Sequence, residues 1–264
     1  MDRGTKAVIR VFLLTLGVAY LCLAGYAYFC SDQMIYQPPR ATYTTYLDGY
    51  CAIHTPEGQE LSAVWLPNQN ARFTILYFHG NGCDLGQERP FLEELRQHGF
   101  AVLAYDYRGY GLSSGIPKED TLYLDARYLL TWLKEQQGVS AERVIAYGRS
   151  LGGGSAVEVA THEHLAGLMV ESTFTSAFRV MIPWRVLPFD RFSNLGKMPR
   201  IHCPVLVMHG TWDTVIPFVH GEALFRAANE PKFFLRVDGA GHYAVPKVAG
   251  ERFWQTVQEF VAKL

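Results

Sequence analysis

The chain has 264 residues, of which 49% are hydrophobic and 19% are charged. This balance is too apolar for a disordered protein and supplies enough apolar side chains for a sizeable core. The 24 Lys and Arg residues are matched by 25 Asp and Glu residues, which gives a net charge of −1. Without a basic surplus the chain lacks the electrostatic signature of nucleic-acid binding, so we expect no nucleic-acid partner.

The N-terminal segment has the pattern of a membrane anchor. Arg3, Lys6 and Arg10 precede residues 11–31, which carry no charged side chain. As a helix this stretch would span about 31 Å, close to the hydrocarbon thickness of a bilayer. A cleaved signal peptide also begins with positive charge before an apolar stretch, but its apolar stretch is usually shorter. We therefore predict an uncleaved, single-pass transmembrane helix at 11–31.

The charges at the start of the chain also predict its orientation. Positive residues stay on the cytoplasmic side of a span, so we expect residues 1–10 in the cytoplasm and the remainder on the opposite side. In a bacterium that side is the periplasm. Residues 32–45 are predicted to be a tether, stiffened by Pro38 and Pro39, and residues 46–264 a single folded domain.

Beyond the tether, short apolar runs alternate with helical patterns. We predict strands at residues 61–66, 73–78, 101–105, 143–147, 167–170, 205–208 and 233–237. Helices are predicted at residues 87–98, 120–137, 151–161, 219–228 and 246–263. The first two strands read as a pair joined by a polar turn at 67–70. Apolar strands alternating with helices predict an α/β fold whose mainly parallel sheet has helices on both faces.

One long irregular insertion, residues 172–203, interrupts this alternation between two predicted strands. It is rich in Phe, Trp and Pro, and we expect it to form a small cap over the carboxyl-terminal edge of the sheet. Four of its aromatic residues would either line an apolar acyl-binding site or form the core of the cap. They are Phe174, Phe178, Trp184 and Phe189.

The five cysteines are an odd number and contain no C-x-x-C pair. Free thiols are therefore favoured over a disulfide framework or a zinc site, and we expect no bound metal. The sequence leaves open one bridge from Cys203 to either Cys51 or Cys83.

Residues 148–152 read Gly-Arg-Ser-Leu-Gly and lie between a predicted strand and a predicted helix. In that context the G-x-S-x-G pattern is typical of a nucleophile elbow, a turn sharp enough to strain the backbone of its serine. Glycines on either side remove the collision that larger residues would make. We predict Ser150 as the nucleophile, and an ordinary glycine-rich turn is the alternative.

A serine hydroxyl is a weak nucleophile that needs a histidine base, itself oriented by a carboxylate. In this architecture the acid and then the histidine follow the serine, on loops after strands. Asp213 follows the penultimate predicted strand and His242 follows the last one, so we predict that both act with Ser150. Asp190 and Asp238 are the rival acids; the first lies in the cap and the second is too near the strand of the histidine.

Acyl transfer also requires donors for the oxyanion that forms when serine attacks a carbonyl. One predicted donor is the backbone N–H of Leu151, directly after the nucleophile. The other is the backbone N–H of Asn81, in a glycine-containing loop after an earlier strand. We expect His79 to hold this loop by hydrogen bonding.

Five sequence strings together resemble one known family. They are LYFHGNG at 76–82, YDYRGYGLSSG at 105–115, YGRSLGG at 147–153, HGTWD at 209–213 and GAGH at 239–242. These strings are similar to motifs of the α/β-hydrolase superfamily and, more narrowly, of its membrane-anchored branch related to the eukaryotic protein depalmitoylases.

The resemblance implies an eight-stranded, mostly parallel sheet and a serine hydrolase that needs no cofactor. It also implies that Asp106 and Arg108 belong to a structural turn beside the site. The chain departs from the depalmitoylase pattern at its N-terminus, where relatives carry a lipidated cysteine cluster. Here a spanning segment with Cys22 and Cys30 stands instead, which weakens the expectation of protein depalmitoylation.

The sequence therefore predicts a membrane-anchored serine hydrolase that cleaves carboxylic esters or thioesters. Its expected substrate is a small or lipid-like acyl compound. A peptidase or amidase would use the same three residues, and a catalytically silent binding module on a membrane stalk is an alternative of another class.

Overall fold

The computed structural model describes residues 2–182 and 184–264. The chain divides into two compact units, one ending at Gln37 and the other comprising Pro38–Leu264.

The first unit is one long helix, α1 (Arg3–Ile35), whose N-terminus is capped by Asp2. The Asp2 carboxylate accepts a hydrogen bond of 2.8 Å from the backbone N–H of Thr5. Nearly all of the helix is exposed, and it is long and apolar enough to cross a membrane. It extends beyond the predicted 11–31 at both ends because no proline interrupts it before Pro38.

Within the described residues, the second unit contains eight strands in one sheet. They are β1 (Tyr50–His54), β2 (Glu60–Leu66), β3 (Thr74–Phe78), β4 (Ala101–Tyr105), β5 (Val144–Arg149), β6 (Gly167–Glu171), β7 (Val205–Gly210) and β8 (Lys232–Val237). Their order is β1-β2-β4-β3-β5-β6-β7-β8, and only the β1–β2 and β2–β4 pairs are antiparallel. The predicted mostly parallel α/β sheet is confirmed.

Two details of the strand prediction were wrong. Strand β1, an edge strand that is only partly buried, was missed. In addition, β2 and β3 follow each other in the chain but do not pair, because β4 lies between them. Every residue of β3 is buried, and such a strand requires neighbours along both of its edges.

In the part of the chain that the structure describes, the second unit has eight helices, which lie between or after the strands from β3 onward. They are α2 (Leu85–Gln97), α3 (Glu119–Gln137), α4 (Gly152–His162), α5 (Ala177–Met181), α6 (Asn194–Lys197), α7 (Val219–Ala227), α8 (Val245–Ala249) and α9 (Glu251–Val261). The predicted last helix, 246–263, is divided in two. Gly250 adopts φ +55°, a left-handed conformation that interrupts the helix and that glycine tolerates.

The helices cover both faces of the sheet. Leu92 of α2 and Phe253 of α9 share a buried cluster with Ile75 and Tyr77 of β3. Alternate residues of a strand point to opposite faces, so Leu76 and its equivalents face the other side, where α4 packs. All five cysteines are free.

The segment 172–203, predicted as a cap, contains α5, α6 and a short 3-10 turn at Met198–Arg200. Polar contacts fix it to its surroundings. The side-chain amide of Asn194 donates to the carbonyl of Phe174 at 3.0 Å, and Lys197 Nζ lies 2.6 Å from a Glu158 carboxylate oxygen of α4.

The segment predicted as a tether, residues 32–45, is divided between the two units. Residues up to Ile35 belong to α1, whereas those from Pro38 belong to the second unit. Thr42 donates to the Asp84 carboxylate from both its backbone N–H and its hydroxyl, each at 2.6 Å. Tyr43 is buried and donates to Asp106, so side-chain contacts order the last residues of the predicted linker.

Candidate active site

The G-x-S-x-G segment forms a sharp turn between β5 and α4. Ser150 adopts φ +52°, the left-handed region that non-glycine residues rarely occupy. A Cβ atom at Gly148 would lie 2.4 Å from the Gly152 carbonyl oxygen, and one at Gly152 would lie 2.1 Å from the Phe78 carbonyl oxygen. The turn therefore requires glycine at both positions, as the sequence predicted.

Hydrogen bonds from the neighbouring strand hold this strained turn. The Ser150 backbone N–H donates to the Glu171 carbonyl at 2.9 Å, and the Thr173 hydroxyl donates to the Ser150 carbonyl at 2.7 Å. Strained residues persist where their surroundings over-determine the backbone, and such residues cluster at functional sites.

Three side chains predicted to act together form a chain of two hydrogen-bond contacts through His242. His242 Nε2 is 2.9 Å from Ser150 Oγ, and His242 Nδ1 is 2.7 Å from Asp213 Oδ2. Asp213 follows β7 and His242 follows β8, so the carboxyl ends of adjacent parallel strands bring them together. Each of the three residues is only 6% exposed.

The contacts of Asp213 determine its charge. Its Oδ1 atom accepts hydrogen bonds from the backbone N–H groups of Val215 at 2.9 Å and Ile216 at 2.8 Å. Burial by itself raises the pKa of Asp213, but hydrogen bonds from His209, His242 and the Ile216 N–H outweigh it and lower the pKa below its ordinary value. The carboxylate is therefore ionised at neutral pH.

An ionised Asp213 also determines the tautomer of a neutral His242. A carboxylate can only accept hydrogen bonds, so the imidazole proton lies on Nδ1 and is donated to Asp213. Nε2 is then an acceptor for the hydroxyl proton of Ser150. This is the arrangement in which a histidine can remove that proton.

The loop after β3 lies against the serine. A Cβ atom at Gly80 would be 3.6 Å from the Ser150 Cβ, which places the next residue, Asn81, beside the turn. The Asn81 side chain accepts a hydrogen bond of 2.6 Å from the Tyr110 hydroxyl. Leu151, the other predicted oxyanion donor, is buried directly after Ser150 at the start of α4.

His79 anchors this loop from beneath. Its Nδ1 atom lies 2.8 Å from the Gly80 carbonyl oxygen, and its Nε2 atom lies 3.2 Å from Asp106 Oδ1. Burial lowers the pKa of His79, but the hydrogen bond and charge of Asp106 outweigh burial and raise it above its ordinary value. Arg108, in the same turn as Asp106, forms a buried ion pair with Asp125 at 2.6 Å.

The two rival acids are engaged elsewhere. Asp190 accepts hydrogen bonds within the cap from the Ser176 hydroxyl and the Phe178 backbone N–H. Asp238 is exposed and pairs with Arg236 at 2.8 Å.

The four aromatic residues of the cap have different environments. Phe174 is buried and packs edge-on against Phe192, with ring centroids 6.1 Å apart, so it belongs to the interior. Phe178 and Phe189 contact each other and line a small cavity together with Trp184. Trp184 is 76% exposed.

Two residues near the serine were not predicted from the sequence to belong to the site. Arg149 forms buried ion pairs with Glu88 and Glu171, and His209 contacts Asp213. Both lie within motifs that the sequence analysis had identified, but the partners of Arg149 are distant in the chain. The position of His209 near the end of β7 is the signal that would have indicated a buried role.

Comparisons with known proteins agree with this architecture. Residues 69–194 match the family model described as "Serine aminopeptidase, S33". Over 213 residues the chain is 37% identical to human "Alpha/beta hydrolase domain-containing protein 17B", covering 79% of this chain and 73% of that protein. Over 179 residues it is 42% identical to "Alpha/beta hydrolase domain-containing protein aho-3" of Caenorhabditis elegans, covering 67% of this chain and 54% of that relative, or about half its length.

Solved structures share the fold at lower sequence identity. The Pyrococcus furiosus esterase Pf2001 superimposes with a TM-score of 0.71 at 22% identity, covering 86% of this chain and 98% of that one. A monoacylglycerol lipase of Paleococcus ferrophilus gives a TM-score of 0.63 at 21% identity, covering 78% of this chain and 100% of that one.

Proposed function

Because the chain belongs to the α/β-hydrolase superfamily, in a branch related to depalmitoylases, we propose that it is a membrane-anchored serine hydrolase of carboxylic esters or thioesters. One observation carries the proposal. A serine in a strained turn lies 2.9 Å from a histidine, whose other nitrogen lies 2.7 Å from an ionised aspartate. Hydrolase activity is the property that the family membership supports by itself.

In the proposed mechanism, His242 removes the hydroxyl proton of Ser150 while Ser150 Oγ bonds to the acyl carbonyl carbon. The backbone N–H groups of Leu151 and Asn81 stabilise the oxyanion. Collapse of this intermediate breaks the bond to the alcohol or thiol, which leaves with the proton from His242. Water then attacks the acyl-enzyme and gives a proton to His242. The bond between Ser150 Oγ and the acyl carbon breaks, Ser150 takes that proton from His242, and the acid leaves. Asp213 stabilises the imidazolium that forms in both halves of the reaction.

Three cap residues remain candidates for contact with the acyl group. Phe178, Trp184 and Phe189 line one cavity of about 20 Å³, room for a single water molecule, so only the apolar surface of their rings supports this role. Phe174 supports the interior behind the serine turn instead, because its side chain is buried against Phe192. An apolar acyl group would remove these exposed ring surfaces from water.

The principal test is covalent labelling of the full-length protein with a fluorophosphonate probe. The wild type should be labelled and Ser150→Ala should not. Ser114→Ala, which removes an exposed hydroxyl, is the matched control and should be labelled like the wild type. Equal labelling of Ser150→Ala and the wild type would refute the proposed nucleophile.

Ester cleavage is favoured over amide cleavage because the structural neighbours include esterases and a monoacylglycerol lipase. The family model, in contrast, bears the name of an aminopeptidase and supports an amidase as the second candidate. A comparison of p-nitrophenyl esters, acyl thioesters and p-nitroanilides with the same acyl group distinguishes them. We expect the anilide to be the slowest substrate; a faster anilide would favour the amidase.

The same assays test the third alternative, a catalytically silent binding module. Turnover of any of these substrates that is abolished in His242→Ala would exclude it. Turnover that is equal in the wild type and His242→Ala would contradict the proposed base.

We further propose that α1 is an uncleaved anchor, with the charged start of the chain in the cytoplasm and the hydrolase domain on the other side. The length and apolar surface of α1 support this assignment. The mass of the protein extracted from membranes should equal that of the full chain, whereas a cleaved signal peptide would remove the apolar stretch. Protease added outside the cytoplasmic membrane should digest the domain, and full protection would contradict the orientation.

A further inference from the structure

A second histidine contacts the acid of the proposed catalytic group from inside the sheet. His209 is the penultimate residue of β7 and its side chain is fully buried. Its Nε2 atom lies 3.3 Å from Asp213 Oδ2, the same oxygen that His242 contacts, and 2.9 Å from the carbonyl oxygen of Ile216.

The surroundings of the ring determine which nitrogen carries the proton. Among the residues that the structure describes, none offers a hydrogen-bond partner to Nδ1. This nitrogen faces Gly221 of α7, where a Cβ atom would approach it to 2.6 Å. Both acceptors, the Asp213 carboxylate and the Ile216 carbonyl, lie at Nε2. A neutral His209 with its proton on Nε2 therefore donates to the Ile216 carbonyl at 2.9 Å and presents the same N–H to Asp213 Oδ2 as a second, longer contact at 3.3 Å.

The His209 donor fixes the loop after β7, which carries Asp213. Asp213 Oδ1 accepts from the N–H groups of Val215 and Ile216, and His209 reaches the Ile216 carbonyl at the same end of the loop. His209 thus connects a rigid strand to both the carboxylate and the backbone three residues beyond it. The position of Oδ2, on which the orientation of His242 depends, is then set by β7.

We propose that His209 is the positioning residue of the catalytic group: its Nε2–H holds Asp213 in the orientation that His242 requires. The inference rests on the proposed function, because it assigns a role relative to Asp213 and His242. A misplacement of reacting groups by a fraction of a bond length is enough to reduce turnover strongly, so the effect should appear in kcat.

The test compares His209→Leu with His209→Gln in the full-length protein in detergent micelles. Leucine removes the donor, whereas glutamine places an amide N–H where the imidazole Nε2–H was. For p-nitrophenyl acetate we expect His209→Leu to lower kcat about 10- to 100-fold, as for loss of a hydrogen bond to a charged group, with KM within about twofold. His209→Gln should recover most of the loss.

His220 provides a matched control, because it is a buried histidine of α7 whose Nδ1 contacts Thr175 rather than Asp213. We expect His220→Gln to keep kcat within about threefold of the wild type. Wild-type kcat in His209→Leu, or a glutamine variant no more active than the leucine variant, would overturn the proposal.

A measurement on the wild type keeps the proposal falsifiable if His209→Leu does not fold. Nitrogen-15 NMR of histidine-labelled protein should show the ring of His209 protonated at Nε2 and not at Nδ1; a proton on Nδ1 would overturn the proposal. Asp213→Asn, assayed alongside, separates the two levels of inference. If it loses activity while His209→Leu does not, only the positioning role fails; if it keeps activity, the proposed function fails as well.

Discussion

Two neighbouring residues of the serine turn, Arg149 and Ser150, belong to buried polar networks of opposite kind. Arg149 Nη1 lies 3.1 Å from Glu88 and its Nε lies 3.2 Å from Glu171, and the guanidinium covers the Phe91 ring at 4.5 Å. Hydroxyl groups complete the cluster, because Tyr77 donates to Glu88 at 2.8 Å and Tyr147 donates to Glu171.

The network of Ser150, His242 and Asp213 ends differently. Asp213 accepts from several donors, and His242 uses one nitrogen to bind it. Within the described part of the chain, the other nitrogen contacts the Ser150 hydroxyl, which can lose its proton and react. The comparison teaches that a closed ion network stabilises the turn, whereas reactivity requires a network that ends at one transferable proton. Four experiments test this difference between the two networks.

The largest effect is expected from Asp213→Asn. The asparagine amide would donate to His242 Nδ1 and favour the tautomer with its proton on Nε2, which cannot accept the Ser150 proton. We expect kcat for p-nitrophenyl acetate to fall about 10⁴-fold. Asp238→Asn, which removes an exposed carboxylate paired with Arg236, is the control and should leave kcat unchanged. A similar kcat for both variants would contradict the proposal that Asp213 orients His242 to accept the Ser150 proton.

Arg149→Met tests the closed network through stability. It would leave the Glu88 and Glu171 carboxylates buried without their cation, so we expect the free energy of unfolding to fall by about 3–5 kcal/mol. Urea unfolding of the full-length protein in micelles measures this change. Arg127→Met removes a partly exposed arginine 3.7 Å from Glu158 and should cost less than about 1 kcal/mol. Equal losses of unfolding free energy in the two variants would show that the buried ion pairs of Arg149 add no stability.

The reactivity of Cys83 tests whether the Arg149 network suppresses a thiol that would otherwise be a strong nucleophile. Burial and the nearby Glu88 raise the pKa of this thiol to about 12, so little thiolate exists at neutral pH. We expect iodoacetamide to modify Cys83 at about pH 8 on the order of 1,000-fold more slowly in the folded protein than in urea, as peptide mass spectrometry would measure. Comparable rates would place Cys83 outside the cluster.

The smallest effect concerns His220, whose Nδ1 accepts a hydrogen bond from the Thr175 backbone N–H. Burial and then the neighbouring His209 lower the pKa of His220, whereas Asp213 opposes them. A histidine with a lowered folded-state pKa stabilises the protein above its unfolded pKa of about 6.5 and loses this contribution as the pH falls.

His220→Asn keeps an acceptor at the same place but cannot titrate. Between about pH 7 and pH 5.5 the wild type should lose up to about 1 kcal/mol of stability relative to this variant. If the unfolding free energies of the two proteins changed with pH in parallel, the lowered pKa of His220 in the folded protein would be contradicted.

The accuracy of the sequence predictions followed the range of the interactions involved. The strand at 101–105 and Gly148 of the serine turn were predicted correctly, because an apolar run and the collision of a Gly148 Cβ with Gly152 both involve near neighbours in the chain. The errors concerned strand pairing and partial burial: the edge strand β1, the separation of β2 from β3 by β4, and the break at Gly250. A local pattern contains no information about which strand will lie beside another.

The candidate site shows the same division. The order of serine, acid and histidine indicated the three residues that the fold joins through His242, which lies within 3 Å of both Ser150 and Asp213. The sequence did not reveal that Phe174 belongs to the interior, or that the last residues of the predicted tether are held by Asp84 and Asp106.

The apolar N-terminal helix and the alternation of strands and helices follow from the hydrophobic pattern of the chain, and the G-x-S-x-G spacing indicated the serine turn. Only the tertiary structure decided the pairing of Arg149 with Glu88 and Glu171 and the contact of His209 with Asp213. The physical reason is that the orientation of a buried polar side chain depends on every donor and acceptor packed around it, and here most of those groups come from other segments of the sheet and helices.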